Sequence, residues 1–77
     1  MMHPNLVDQL EMFVTAAALG TFSATARKMG RAQNVVSYGI SSLETSLNVK
    51  LFDRSGHKAV LTPTGIALRR QAQGIVN

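Results

Sequence analysis

Apolar side chains recur along this chain at helical spacing, in stretches that glycines and capping residues separate. Leu6, Leu10, Phe13, Val14 and Ala17 fall at the i, i+4, i+7, i+8, i+11 positions of one helix face, with Asn5 placed to cap the start and Gly20 to stop the end. A second, short helix carrying Ala24, Ala26 and Met29 is predicted from Ser23 as N-cap to Gly30, a residue free to take the left-handed conformation. Only Arg31 and Ala32 separate Gly30 from a third helix, over about 33–47, whose stripe Val36, Ile40, Leu43 and Leu47 is spaced four, three and four. Between those residues lies a polar face of Gln33, Asn34, Ser37, Tyr38, Ser41 and Ser42, with one acid, Glu44, near its end.

The period then shortens. Asn48 is a plausible C-cap, Val49 to Phe52 and Ala59 to Leu61 are β-prone runs, and Ser55-Gly56-His57-Lys58 between them is a turn signal, so a small hairpin is expected. Thr62 and Pro63 suit the N-cap and first position of a fourth helix, which carries Ile66, Ala67, Ile75 and Val76 and is still running at Asn77. The fold class expected is mainly α: a three-helix core, a small two-stranded wing and a fourth, linking helix. Residues 1–62 would form the winged domain and 63–77 the start of the linking helix.

Size and charge narrow what such a fold can do. Seventy-seven residues suit one domain, marginal alone and prone to continue into, or pair with, another unit. Apolar runs reach no further than Ala16 to Leu19, so no segment is predicted to cross a bilayer. There is no cysteine for disulfides or thiolate zinc, and Met1-Met2-His3-Pro4-Asn5 does not read as a signal peptide, so a cytoplasmic, nucleoid-associated protein is expected. Eight Lys and Arg against four Asp and Glu give +4, as in domains that bind nucleic acid. The excess is unevenly spread. No acid lies between Met12 and Leu43, where Arg27, Lys28 and Arg31 do, and none follows Arg54, where Lys58, Arg69 and Arg70 do.

Catalysis finds no foothold. His3 and His57 stand away from any carboxylate cluster, the six glycines match neither phosphate-cradling loop, and Asp8 and Glu11 fit favourable charge near a helix N-terminus. Neither an enzyme, a metal site nor a cofactor is expected. The second and third helices, joined by a tight turn at Gly30, instead have the layout of a helix-turn-helix. Ala24 and Ala26 permit close helix approach, and the polar face of the third helix would enter a major groove about 12 Å wide. Gln33 and Asn34 could each read adenine bidentately, and Ser37 could meet donor or acceptor edges. A hairpin directly after that helix, with Arg54, His57 and Lys58 at its tip, turns the helix-turn-helix into a winged helix.

These residues also carry a family resemblance. Leu10-x-x-Phe13, Gly20-Thr21-Phe22-Ser23-Ala24-x-Ala26, Gln33-x-Val35-Val36-Ser37, Leu43-Glu44, Leu51-Phe52-Asp53-Arg54 and Leu61-Thr62-x-x-Gly65, in order over about residues 6 to 70, resemble the N-terminal signature of LysR-type transcriptional regulators. The resemblance implies a winged helix-turn-helix, a long fourth helix that pairs with its twin, and an effector-binding domain that these residues lack. The chain is thus expected to be an isolated DNA-binding domain cut inside the linker helix. Double-stranded operator DNA would be its partner, and a small-molecule effector would act only through the missing domain. Carried over, Gln33, Asn34 and Ser37 would meet base edges, and Tyr38, Arg54, His57 and Lys58 would meet phosphate or groove. From the residues themselves, Arg31 joins the candidate DNA-binding set, and the apolar stripe of the fourth helix, Ile66, Ala67, Ile75 and Val76, is the candidate dimer seam. Ala32 departs from the usual Ser or Thr, removing a cap that contributes about 1 kcal/mol. Asn34 stands where Pro or Ser is common, Tyr38-Gly39 where longer polar side chains are usual, and Asn48 where Gly is usual. Gly39 costs the third helix about 1 kcal/mol relative to Ala. The competing reading is a winged-helix module that binds protein and not DNA, which acids or apolar residues at 33, 34, 37 and 38 would favour; RNA recognition lacks its aromatic platform.

Overall fold

A computed structural model of the chain describes residues 5–56 and 58–76, with backbone alone over 73–76. Its elements run α1 (Leu6–Leu19), α2 (Phe22–Met29), α3 (Gln33–Leu47), β1 (Phe52–Asp53), β2 (Val60–Leu61) and α4 (Pro63–Val76). This is a winged helix: three helices pack on one another, a two-stranded antiparallel wing follows α3, and α4 lies against α1.

Most boundaries are set by caps. Asn5 Oδ1 accepts from the Asp8 N–H at 2.8 Å and opens α1, and Gly20, at φ 83°, closes it with an N–H donated to the Ala16 carbonyl. Gly30 (φ 67°) and Asn48 (φ 56°) close α2 and α3 alike: the next residue's N–H reaches back to a carbonyl five positions earlier, Arg31 to Ala26 at 2.9 Å and Val49 to Glu44 at 3.1 Å. That closure needs a left-handed residue, which Gly allows without cost and Asn tolerates. At α4, Thr62 Oγ1 accepts from the Gly65 N–H at 3.0 Å, with Pro63 in the first helical position.

The start of α2 differs from expectation. Its N-cap is Thr21, whose hydroxyl accepts from the Ala24 N–H at 3.1 Å, and Ser23 lies exposed inside the helix. Starting the helix two residues earlier carries Phe22 towards Phe52, and the two rings meet edge to face with centroids 5.5 Å apart. Thr25, fully buried, donates its hydroxyl to the Thr21 carbonyl at 2.8 Å, so the first turn is held twice.

The core comprises Leu10, Met12, Phe13 and Ala16 of α1, Ala26 of α2, Val36, Ile40 and Leu43 of α3, Leu51, Phe52, and Ala72 of α4. Of the expected buried faces, Val14, Ala17 and Met29 are half-buried against this core and two positions are exposed. Leu6 is 60% exposed in the first turn of α1 and Leu47 is 46% exposed in the last turn of α3, each at a helix end. On α4 the inward residues are Gly65, half-buried Leu68 and Ala72, which leaves Ile66 and Ala67 outward.

Each strand is two residues long, shorter than the β-prone runs suggested, with Phe52 opposite Leu61 and Asp53 opposite Val60. Before β1 the backbone bonds elsewhere. The Leu51 carbonyl accepts from the Thr62 N–H at 3.0 Å, the Lys50 carbonyl from the Thr62 hydroxyl at 2.6 Å, and the Leu51 N–H donates to the carboxylate of Glu44 at 2.8 Å. On the return, the Ala59 N–H donates to the Gly20 carbonyl at 3.1 Å, tying the wing to the turn between α1 and α2.

Candidate nucleic-acid interface

The outer face of α3 keeps the polar character its sequence predicts. Gln33, Asn34, Tyr38, Ser41 and Thr45 are exposed and Ser37 and Ser42 half-buried, while Val36, Gly39, Ile40 and Leu43 face inward. The helix starts at Ala32 with no side-chain cap, so its first turn opens to solvent with positive dipole character. No described acid lies on this face. Glu44, expected near its end, points into the protein and is 6% exposed. It sits four residues after Ile40 and eight after Val36, inside the apolar stripe, so the spacing itself held the signal.

Burying a carboxylate is costly unless its oxygens are satisfied, and Glu44 satisfies both. One oxygen accepts from the N–H groups of Leu51 and Phe52 at 2.8 and 3.2 Å, and the other pairs with the Arg54 guanidinium at 3.3 Å. Arg54 also lies over the Phe22 ring, 4.7 Å from its centroid. Arg54 therefore stands at the start of the wing loop, just beyond the Asp53–Val60 pair, tied back to α3 through Glu44 while its own side chain stays 39% exposed. Next to it the Asp53 carboxylate accepts from the Ser55 N–H at 3.0 Å, and this bond and the Ser55 hydroxyl hold its pKa below the usual carboxylate value.

Three of the expected residues come together. Gln33, Arg54 and Lys58, with Thr21, Phe22, Ser23, Gly56 and Ala59, line a groove of about 460 Å³ between the start of α2, the start of α3 and the wing. Ser23 was read as a helix cap and Thr21 only as part of the family motif, although both residues line this groove. Asn34, Ser37 and Tyr38 continue along α3 from its rim. Arg31 stands apart, 3.8 Å from the Asp8 carboxylate near the start of α1. His57, and the side chains of Ile75 and Val76, lie outside the described residues. Of the remaining seam residues, Ile66 is 45% exposed. Among the described residues no group of three or more His, Cys, Asp or Glu side chains could hold a metal ion, and no helix is long and apolar enough to cross a membrane.

Residues 7–66 match the family described as bacterial regulatory helix-turn-helix protein, lysR family. The chain belongs to the LysR family. Among curated relatives, this LysR-family domain is 45% identical over 60 residues to the HTH-type transcriptional regulator AceR of Acinetobacter baumannii, a match covering 78% of this chain and 20% of that protein. It thus spans about a fifth of the length of that regulator. Among solved structures, the oxidized form of Corynebacterium glutamicum OxyR superposes with a TM-score of 0.88 at 35% identity, covering 97% of this chain and 24% of that one. The BenM DBD, crystallised in complex with benA site 1 DNA, gives a TM-score of 0.89 at 26% identity over 94% of this chain and 84% of that one.

Proposed function

We propose that this LysR-family domain binds double-stranded operator DNA sequence-specifically, with α3 in the major groove and the wing tip on the backbone or the adjacent minor groove. One observation carries the reading: the polar outer face of α3 has no described acid, and Gln33 at its start shares a groove with Lys58 of the wing. Similarity to a domain crystallised with DNA supports it. Gln33 and Asn34 present amides suited to adenine edges, Ser37 offers a hydroxyl to either kind of edge, and Tyr38 and Lys58 contact the backbone. The domain acts as a homodimer through α4, on the cytoplasmic nucleoid. A small-molecule effector acts only through a C-terminal domain beyond these residues. The role is transcriptional regulation and not catalysis.

Selection of bound duplexes from a random pool, followed by anisotropy titrations across salt, tests the reading. Gln33→Ala should weaken the selected duplex by about 1 to 3 kcal/mol and barely affect a scrambled one. Lys58→Ala should weaken both and lower the salt slope by about 0.9. Failure to enrich any sequence, together with capture of a folded protein partner on the α3 face, would favour a protein-interaction module.

A further inference from the structure

We infer that Arg54 is a positioning residue for DNA reading, which sets the wing against α3 without touching phosphate. The inference rests on the proposal that this domain binds DNA. The geometry has three parts. Glu44 comes from α3, the helix whose outer face would read bases; its carboxylate grips the wing strand twice through the Leu51 and Phe52 N–H groups and a third time through Arg54. Arg54 in turn covers the ring of Phe22, in the first turn of α2. Phe22 stacks edge to face on Phe52, and Phe52 does the same on Phe13, with centroids 5.5 and 5.6 Å apart, so the network is rooted in the core.

One side chain thus joins the two sides of the groove that holds Gln33 and Lys58. Its charge is already answered by a carboxylate of which only 7% is exposed. A guanidinium neutralised in this way displaces no counterion from a DNA backbone, so it contributes affinity through geometry and not through the salt-dependent term. At its base the wing is fixed by buried Leu51 and Phe52 and by the Thr62 bonds to the Lys50 and Leu51 carbonyls, but its loop has fewer ties. Its strands pair over two residues each, and the Ala59 to Gly20 bond is the tie on the returning side.

Two substitutions separate positioning from phosphate contact. Arg54→Met keeps an unbranched stem over Phe22 and removes the guanidinium. Glu44→Gln keeps an oxygen able to accept from the Leu51 and Phe52 N–H groups, and turns an NH₂ group toward the donors of Arg54, so it breaks the link to the wing arginine selectively. With the selected duplex, each should weaken binding roughly tenfold with the salt slope unchanged, and the double variant should be no weaker than either single one, as expected for two ends of one interaction. Lys58→Ala, run alongside, should lower the slope by about 0.9. A fall of that size for Arg54→Met, or tighter binding by Glu44→Gln through release of Arg54, would overturn the inference. In the free proteins, amide heteronuclear NOE values at Ser55, Gly56, Lys58 and Ala59 should fall in Arg54→Met; unchanged values would also overturn it. That second measurement is read without DNA. Absence of any duplex binding by the parent chain would therefore count against the proposed function alone, and Arg54→Met carries the test if Glu44→Gln does not fold.

Discussion

Replacing Gly65 by alanine should destabilise the domain, although helix propensity alone predicts the opposite. Gly65 is the third residue of α4, where Ala is favoured over Gly by about 1 kcal/mol. A Cβ at this position, however, would collide with the Leu51 carbonyl oxygen and lie 2.9 Å from Leu61 Cδ2. The side chain of Leu61 can turn away. The carbonyl cannot move cheaply, because it accepts the Thr62 N–H at 3.0 Å in the bond that joins the wing to the start of α4. Overpacking of this kind costs about 1 to 3 kcal/mol, and weakening the Thr62 bond adds about 1 kcal/mol. After the propensity gain, a net loss of about 1 to 3 kcal/mol remains, which for a domain of this size lowers Tm by roughly 5 to 20 °C. Urea titration followed by helical circular dichroism, with a thermal melt on the same samples, measures it. An unchanged or raised midpoint would show that α4 does not approach Leu51 as closely as described, and the seating of α4 on the wing would have to be revised.

Further outcomes follow from the same geometry. Thr21→Ala should cost about 1 kcal/mol by removing the cap of α2, whereas exposed Ser23→Ala should change stability by less than about 0.5 kcal/mol; chemical denaturation of both variants would reveal a misplaced helix start if the order were reversed. Leu43→Ala, at a residue 1% exposed, should lose about 2 to 5 kcal/mol by the same measurement, and an unaltered midpoint would contradict the assignment of the buried face of α3. The outward Ile66 on α4 should support a weak, concentration-dependent homodimer that Ile66→Asp abolishes; sedimentation showing a strict monomer at high micromolar concentration would refute that seam.

What the sequence reveals here is mostly local chemistry. Asn5, Gly20, Gly30, Asn48 and the Thr62-Pro63 pair mark helix ends because each acts on backbone groups within five residues, so no tertiary knowledge is needed to place them. Thr21 and Ser23 are equally good capping residues by type, and the choice between them is made by Phe22, whose ring is drawn to Phe52 thirty positions away. Leu6 and Leu47 have the right period and the wrong exposure, since periodicity gives the direction of a side chain but not whether another element lies opposite it. The site divides in the same way. The polar face of α3 could be read from spacing. The pairing of Arg54 could not, because nothing local to a basic residue near a turn points to Glu44, ten residues earlier and on the buried side of another element.

The outer face of α3 and the wing tip together form the proposed DNA-binding surface. Amide chemical-shift mapping tests it most directly: the ¹⁵N-labelled 77-residue chain is titrated with a duplex selected from a random pool, at two salt concentrations. The largest shifts should fall on Gln33, Asn34, Ser37, Tyr38, Ser41 and Lys58, with smaller ones at Thr21 and Ser23 along the groove. Shifts concentrated instead on exposed residues of α1 such as Val7 and Glu11, with the face of α3 silent at saturating duplex, would contradict it.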